Sequence, residues 1–258
     1  MDAIVTAGGI PQPGDPLYEY TQGSEKALLN IAGKPMIQWV LDALSQAESV
    51  ERVVLIGLND EQDISSSKVV ASLPSHGEML DNIRAGTRKL LDLNPQTSHV
   101  LAVSSDIPGL TPEMVDWLTG VIQESDHDLY YTVVSREVME ARFQASNRSY
   151  IKLKDVEVCG GDMNAFRAKI VLGHQELWDR IIGSRKNALK QASLIGYDTL
   201  LLVMLRVLTL DNAAKYASRR LGLKGRAVAC PYAEVAMDVD KPHQLEILRA
   251  YLSEQTLA

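Results

Sequence analysis

Two short acidic segments of this 258-residue chain carry the side chains best suited to holding a hard cation. The first is Ser104-Ser105-Asp106-Ile107-Pro108, which follows an apolar run at 100–103. The second is Asp238-Val239-Asp240-Lys241-Pro242, directly ahead of a C-terminal helical pattern. A carboxylate at a strand end can ligate Mg²⁺, which prefers oxygen ligands and keeps several waters while bridging substrate phosphates. The plainer alternatives are Asp106 capping a turn and Asp240 N-capping the last helix. A third segment, Ala7-Gly8-Gly9, closes the first apolar run. Glycines there let the backbone approach a ligand and present N–H groups to phosphate, although a tight turn alone would also use them. The chain holds no GxGxxG, GxxxxGK[ST], GxSxG or HExxH pattern, and Cys159 has no base partner in sight. The sequence therefore offers charge stabilisation through metal and lysine, not a protein nucleophile or a zinc site.

These residues need a scaffold that brings segments 100 and 240 together, and the periodicity supplies one. Strand-like runs (2–7, 53–56, 69–72, 100–103, 129–134, 228–230, 235–239) alternate with helix-like ones (35–47, 78–91, from 111 onward, 242–252). That alternation predicts an α/β protein with a doubly wound, mostly parallel, Rossmann-like sheet. Residues 135–169 read as polar and irregular, with a Gly160-Gly161 turn. Residues 170–223 read as a helical insertion or cap. At 46% hydrophobic content, one domain spanning 1–258 accounts for the whole pattern. In a strand over 235–239, Asp238 and Asp240 would project to one face.

Downstream of the glycine turn the chain reads Lys26-Ala27-Leu28, then Gly33-Lys34-Pro35-Met36-Ile37. In this it resembles the MobA-like NTP transferases of the GT-A-like nucleotidyltransferase superfamily. The resemblance implies a GT-A-like fold with an NTP at the carboxyl ends of the strands, which is also where ligands sit in open α/β sheets. It implies Lys26 on the NTP phosphates, Asp106 and Asp240 as Mg²⁺ ligands, and a nucleotide site of Ala7, Gly8, Gly9, Lys26, Gly77, Asn82 and Ser105. Gly160-Gly161-Asp162-Met163-Asn164 resembles the acceptor-side segment of sugar nucleotidyltransferases, giving Gly161, Asp162 and Asn164 as acceptor contacts. Arg185 and Lys186 form a basic cluster that would suit the acceptor phosphate, with a solvated helix end as the alternative. One departure is plain: residues 10–25 contain no lysine or arginine, whereas the family loop carries an arginine.

The expected activity is transfer of NMP from an NTP to a small phosphorylated, sugar-phosphate-like acceptor with release of pyrophosphate. Two other readings stay open: a GT-A glycosyltransferase using a sugar nucleotide, and a non-catalytic nucleotide-binding relative. The DxD spacings at Asp126-His127-Asp128 and Asp238-Val239-Asp240 are the feature that bears on the first of these. A net charge of −7 argues against nucleic acid as a partner. The apolar run 200–205 is too short to span a bilayer, the N-terminus lacks a signal-peptide pattern, and the only cysteines, Cys159 and Cys230, lack CxxC spacing. These features predict a cytoplasmic protein without membrane partners. The apolar residues of 193–210 either cover the sheet or form a dimer surface, so a homodimer is left open.

Overall fold

The computed structural model describes residues 1–58, 64–173 and 202–257. Strand β1 (Asp2–Thr6) lies at the centre of a mixed, mostly parallel sheet. It pairs in parallel with β4 (Arg52–Ile56) on one side and β6 (His99–Ser104) on the other, and β5 (Val69–Leu73) extends the sheet beyond β4. A central parallel strand is covered on both faces, which explains its unbroken apolar run. Ala3, Ile4 and Val5 are fully buried.

Side chains alternate across the strand, so its two faces feed two separate cores. Ala3 and Val5 pack with α2 (Met36–Gln46), α4 (Pro112–Gln123) and α8 (Pro242–Leu257). Ile4 packs with α3 (Met79–Leu93) and α6 (Ala168–Gly173). Helix α8 turns Leu245, Leu248 and Leu252 inward at helical spacing. In α3, Gly86 lets the helix lie directly on the sheet: a Cβ there would come within 2.8 Å of Ile56 Cδ1 and 2.9 Å of Ile4 Cδ1.

The short hairpin of β2 (Asn30–Ile31) and β3 (Lys34–Pro35) delivers the chain into α2. Its two loop residues, Ala32 and Gly33, both have positive φ, at 48° and 93°. That is the type I′ geometry that matches strand twist, and it demands a glycine. The Gly-Lys-Pro motif is therefore explained by the turn. Lys34 lies 3.7 Å from the centroid of the Trp39 ring and pairs with Asp42.

Residues 135–169 depart from the irregular segment expected. They contain α5 (Arg136–Arg142), β8 (Ile151–Lys152), β9 (Glu157–Gly160) and β10 (Met163–Arg167). Strand β10 runs antiparallel between β6 and β7 (Leu129–Ser135), and β11 (Gly225–Cys230) pairs in parallel with the other edge of β7. Helix α7 (Leu210–Leu221) packs on β11 without burying any of its own residues. Between it and the β7 face lies an apolar cavity of about 350 Å³. The described parts of 170–223 are helical at 170–173, 202–204 and 210–221, and 174–201 lie outside the described residues.

The strand expected at 235–239 is absent. A 3-10 turn at Ala233–Ala236 leads instead into an irregular segment. The backbone groups that would build a ladder are used sideways: Asp162 N–H donates to Val235 O (2.8 Å) and Val239 N–H donates to Asp106 O (3.0 Å).

Candidate active site

Four segments meet at the carboxyl end of β1, and backbone hydrogen bonds stitch them together. Ser105 N–H donates to Thr6 O (3.1 Å), Ser104 N–H to Asp162 O (2.9 Å), and the two bonds just described tie in residues 235 and 239. Each bond fixes the main chain next to a charged side chain. The result is a cluster of four carboxylates (Asp106, Asp162, Asp238 and Asp240) with two cations, Lys26 and Arg148.

Lys26 reaches the cluster because the loop ahead of it folds back. Its N–H donates to Gly9 O (2.8 Å), and buried Ala27 and Leu29 anchor the 3-10 turn that it opens. Its Nζ lies 2.6 Å from Asp106 Oδ2 and 2.7 Å from Asp240 Oδ1. Burial alone would lower the Lys26 pKa, but the charges and hydrogen bonds of Asp106 and Asp240 outweigh it, so the pKa is raised and the side chain is a firm cation.

Oxygens of Asp106, Asp238 and Asp240 lie within 4.8 Å of one another. Asp106 Oδ1 and Asp162 Oδ2 are buried without a hydrogen-bond donor. A buried carboxylate oxygen left unpartnered is costly, and a hard divalent cation is the partner this donor set fits. Four carboxylates against two cations leave two negative charges, the charge of one such ion. Asp162 feels this most strongly: burial, then the neighbouring Asp106 charge, raises its pKa to about 7.

The glycine turn borders the cluster. Gly57, at φ 104°, packs back to back with Gly8, and a Cβ on Gly8 would meet Ser75 Oγ at 3.1 Å. A Cβ on Gly9 would meet nothing within 4 Å, so packing does not require glycine there. Asn82 is buried, and its Oδ1 accepts the His76 N–H (2.6 Å). It thus orders the loop that carries Gly77 (φ 90°) and brings Ser75 against Gly8. Ser105 is buried beside Thr6.

On the other side of the cluster, β9 and β10 share one edge of β7 but differ in register. Gly160 pairs with Val133, whereas Ala165 pairs with Tyr130. Four residues, 161–164, therefore oppose two, and the chain bulges. The Asn164 amide holds that bulge: its Oδ1 accepts the Thr132 N–H (2.8 Å) and its Nδ2 donates to Gly161 O (2.9 Å). Asn164 is committed to backbone, while Asp162 is thrust into the cluster. Gly161 permits this, since a Cβ would clash with Thr132 Oγ1. Arg185 and Lys186 lie outside the described residues.

Sequence reasoning missed Arg148. Its Nη1 pairs with Asp238, its Nη2 lies 3.9 Å from Asp162 Oδ2, and Nη2 also donates to Gly160 O (3.4 Å). No local signal marks it, because Asp238 is 90 positions away along the chain. Asp162 was assigned to an acceptor, yet it faces the would-be metal ligands as well. Neither cysteine is poised as a nucleophile. Burial raises the Cys159 pKa and pushes that of Cys230 up to about 11.

A doubly wound sheet with an acidic, lysine-bridged cluster at its carboxyl end and a glycine turn beside it defines the class of NTP-transferase folds. The chain belongs to the MobA-like NTP transferase domain family, whose model matches residues 4–194. It is 32% identical to a hypothetical transferase from Thermus thermophilus, with a TM-score of 0.82 over 95% of this chain and 98% of that one. It shares the fold of CMP-2-keto-3-deoxy-manno-octonic acid synthetase solved with CTP (TM-score 0.61, 17% identity, 99% and 98% coverage). Among curated relatives it is 23% identical to a probable molybdenum cofactor guanylyltransferase of Thermococcus kodakarensis, over 40% of this chain and 48% of that protein. A second, from Thermococcus gammatolerans, is 22% identical over 53% and 77%. The chain thus spans about half of the first of these relatives. No helix among the described residues is long and apolar enough to cross a membrane.

Proposed function

We propose that the protein transfers the nucleotidyl group of an NTP to a small phosphorylated acceptor and releases pyrophosphate, with Mg²⁺ as cofactor. One observation carries the reading: Lys26 bridges Asp106 and Asp240 at the strand ends, beside the glycine turn. An acceptor oxygen attacks the α-phosphorus in line, a new O–P bond forms, and the bond to the β-phosphate oxygen breaks. Lys26 and the backbone amides near Gly8 and Gly9 bind the phosphates and offset charge as it develops. Asp106 and Asp240, with Asp238 behind them, hold the metal, which when bound screens the phosphates and acts as a Lewis acid.

The guanylyltransferase relatives and the synthetase solved with CTP make GTP and CTP the first nucleotides to try. The sugar-nucleotide reading loses its mid-chain motif. Asp126 and Asp128 are both paired with Arg167, the latter at 2.9 Å, where β7 begins. The test is a thermal-shift screen of five NTPs with and without Mg²⁺, followed by pyrophosphate release with a panel of phosphorylated acceptors. A Mg²⁺-dependent shift with one NTP, and pyrophosphate release with one acceptor, is the expected outcome. Binding of sugar nucleotides alone, or no nucleotide binding at all, overturns the proposal.

A further inference from the structure

The carboxylate cluster has a second cation whose donors are only half used. Arg148 clamps Asp238 through Nη1, its guanidinium also interacts with the Cys159 thiol, and its Nη2 makes long contacts of 3.4 Å to Gly160 O and 3.9 Å to Asp162 Oδ2. Those distances are at or beyond the limit of a good N–H···O bond. The guanidinium is largely enclosed, with 16% of the side chain exposed, and it lies beside two carboxylates of the cluster, Asp238 and Asp162. Tyr131 borders the same space. A Cβ on Gly160 would collide with its hydroxyl, and that hydroxyl is near enough to feel the charges of both Asp162 and Arg148. Three polar groups from three segments of the chain thus lie close together.

The position of this place matters. It adjoins the bulge between β9 and β10, two strand spacings or roughly 10 Å from the glycine turn on β1. Lys26 stands between the two. A nucleoside triphosphate at the glycine turn would leave Arg148 for whatever attacks from the other side. A planar guanidinium suits a phosphate or carboxylate, which can take two donors at once.

We infer that Arg148, with the Tyr131 hydroxyl and Asp162 beside it, is the acceptor's anion-binding group, taking a phosphate monoester. This rests on the nucleotidyl-transfer reading and goes beyond it by assigning the acceptor side a cation. Arg148 also answers the lack of any cation in residues 10–25, because positive charge enters from the opposite edge of the site.

Calorimetric titration of the purified protein with glycerol 1-phosphate, in the presence of Mg²⁺, tests this directly. A parallel titration with GTP and CTP separates the two readings. Wild-type protein binds the monoester. Arg148→Gln weakens that binding tenfold or more and leaves nucleotide affinity within twofold. Arg148→Lys recovers part of the loss, and Tyr131→Phe costs a few-fold. Absence of monoester binding to wild-type protein, or unchanged binding in Arg148→Gln, overturns the assignment. Equal losses of nucleotide and monoester binding would make Arg148 a structural counter-ion and overturn it too. If Arg148→Gln does not fold, Arg148→Lys and Tyr131→Phe carry the test with the same criteria. Monoester binding through Arg148 without any nucleotide binding would sink the nucleotidyl-transfer reading and leave the anion site standing.

Discussion

The two ends of β1 each carry buried acidic side chains, and they are built on opposite principles. At the start of the strand, Asp2 is 3% exposed and fully occupied. Its carboxylate accepts from Arg52 Nε (2.8 Å) and from Thr97 Oγ1 (2.5 Å), and its charge is matched one to one. At the far end, four carboxylates face two cations, and buried oxygens of Asp106 and Asp162 have no donor. A saturated cluster ties strands together and asks for nothing more. An unsaturated one stores a demand for a ligand at some expense to the fold. The difference separates the end that holds the protein together from the end at which we propose nucleotidyl transfer.

The largest effects should split along that line. Asp106→Ala is expected to cut Mg²⁺-dependent pyrophosphate release by at least about a thousandfold. The metal-free melting temperature should stay level or rise, because one of several like charges is gone. Asp2→Ala should do the reverse. It strands the partly buried Arg52 and the Thr97 hydroxyl, at a cost of about 2–3 kcal/mol in denaturant unfolding, and leaves KM for nucleotide unchanged. If Asp106→Ala proved as destabilising as Asp2→Ala, the contrast between the two ends would collapse. Lys26→Ala should come next, lowering kcat/KM by about a hundredfold. A wild-type value in that variant would move the phosphate site elsewhere.

A packing variant sharpens the same contrast on the fold side. Gly86→Val would push α3 off Ile4 and Ile56. Overpacking of this kind costs about 1–3 kcal/mol. Its readout is stability alone, since the α3 interior lies away from the cluster; a loss of metal-dependent activity at full stability would contradict that.

The first half of the sheet was legible in the sequence because its strands are apolar throughout and end in recognisable punctuation. Gly8-Gly9 and the Asp-x-Pro at 106–108 sit where β1 and β6 stop. The positions of Lys26, Asp106 and Asp240 could be read for the same reason: each lies next to a turn or an element end, and the structure brings all three together. Strands β9 and β10, both antiparallel to β7, were missed because they are four and five residues long and a two-residue bulge between them breaks the alternation. With that bulge went the true direction of Asp162 and the structural use of Asn164. Arg148 left no trace, since its partners are assembled only by the sheet. Asp238 was considered on the strength of strand alternation. It joins the cluster for another reason, the sideways backbone bonds at Val235 and Val239.

The smallest effect tests whether the carboxyl end of β1 is strained by charge even when no ligand is present. Asp162 has a folded-state pKa raised to about 7 from an ordinary 3.8, by burial first and the Asp106 charge second. A raised carboxyl pKa means the folded state favours the protonated form. Its contribution to stability is therefore complete below about pH 4 and is lost as the pH rises through about 7. Metal-free wild-type protein should lose some stability across that window, measured by urea unfolding at fixed ionic strength. Asp162→Asn should flatten this part of the profile and gain on wild type above pH 7. Excess Mg²⁺ should flatten the wild-type profile too, because a divalent charge on the cluster favours the ionised carboxylate. The Asp2 end supplies the contrast: Asp2→Asn should lower stability by removing the charged partner of Arg52. A wild-type slope that survived Asp162→Asn would place the charge strain on another residue of the cluster.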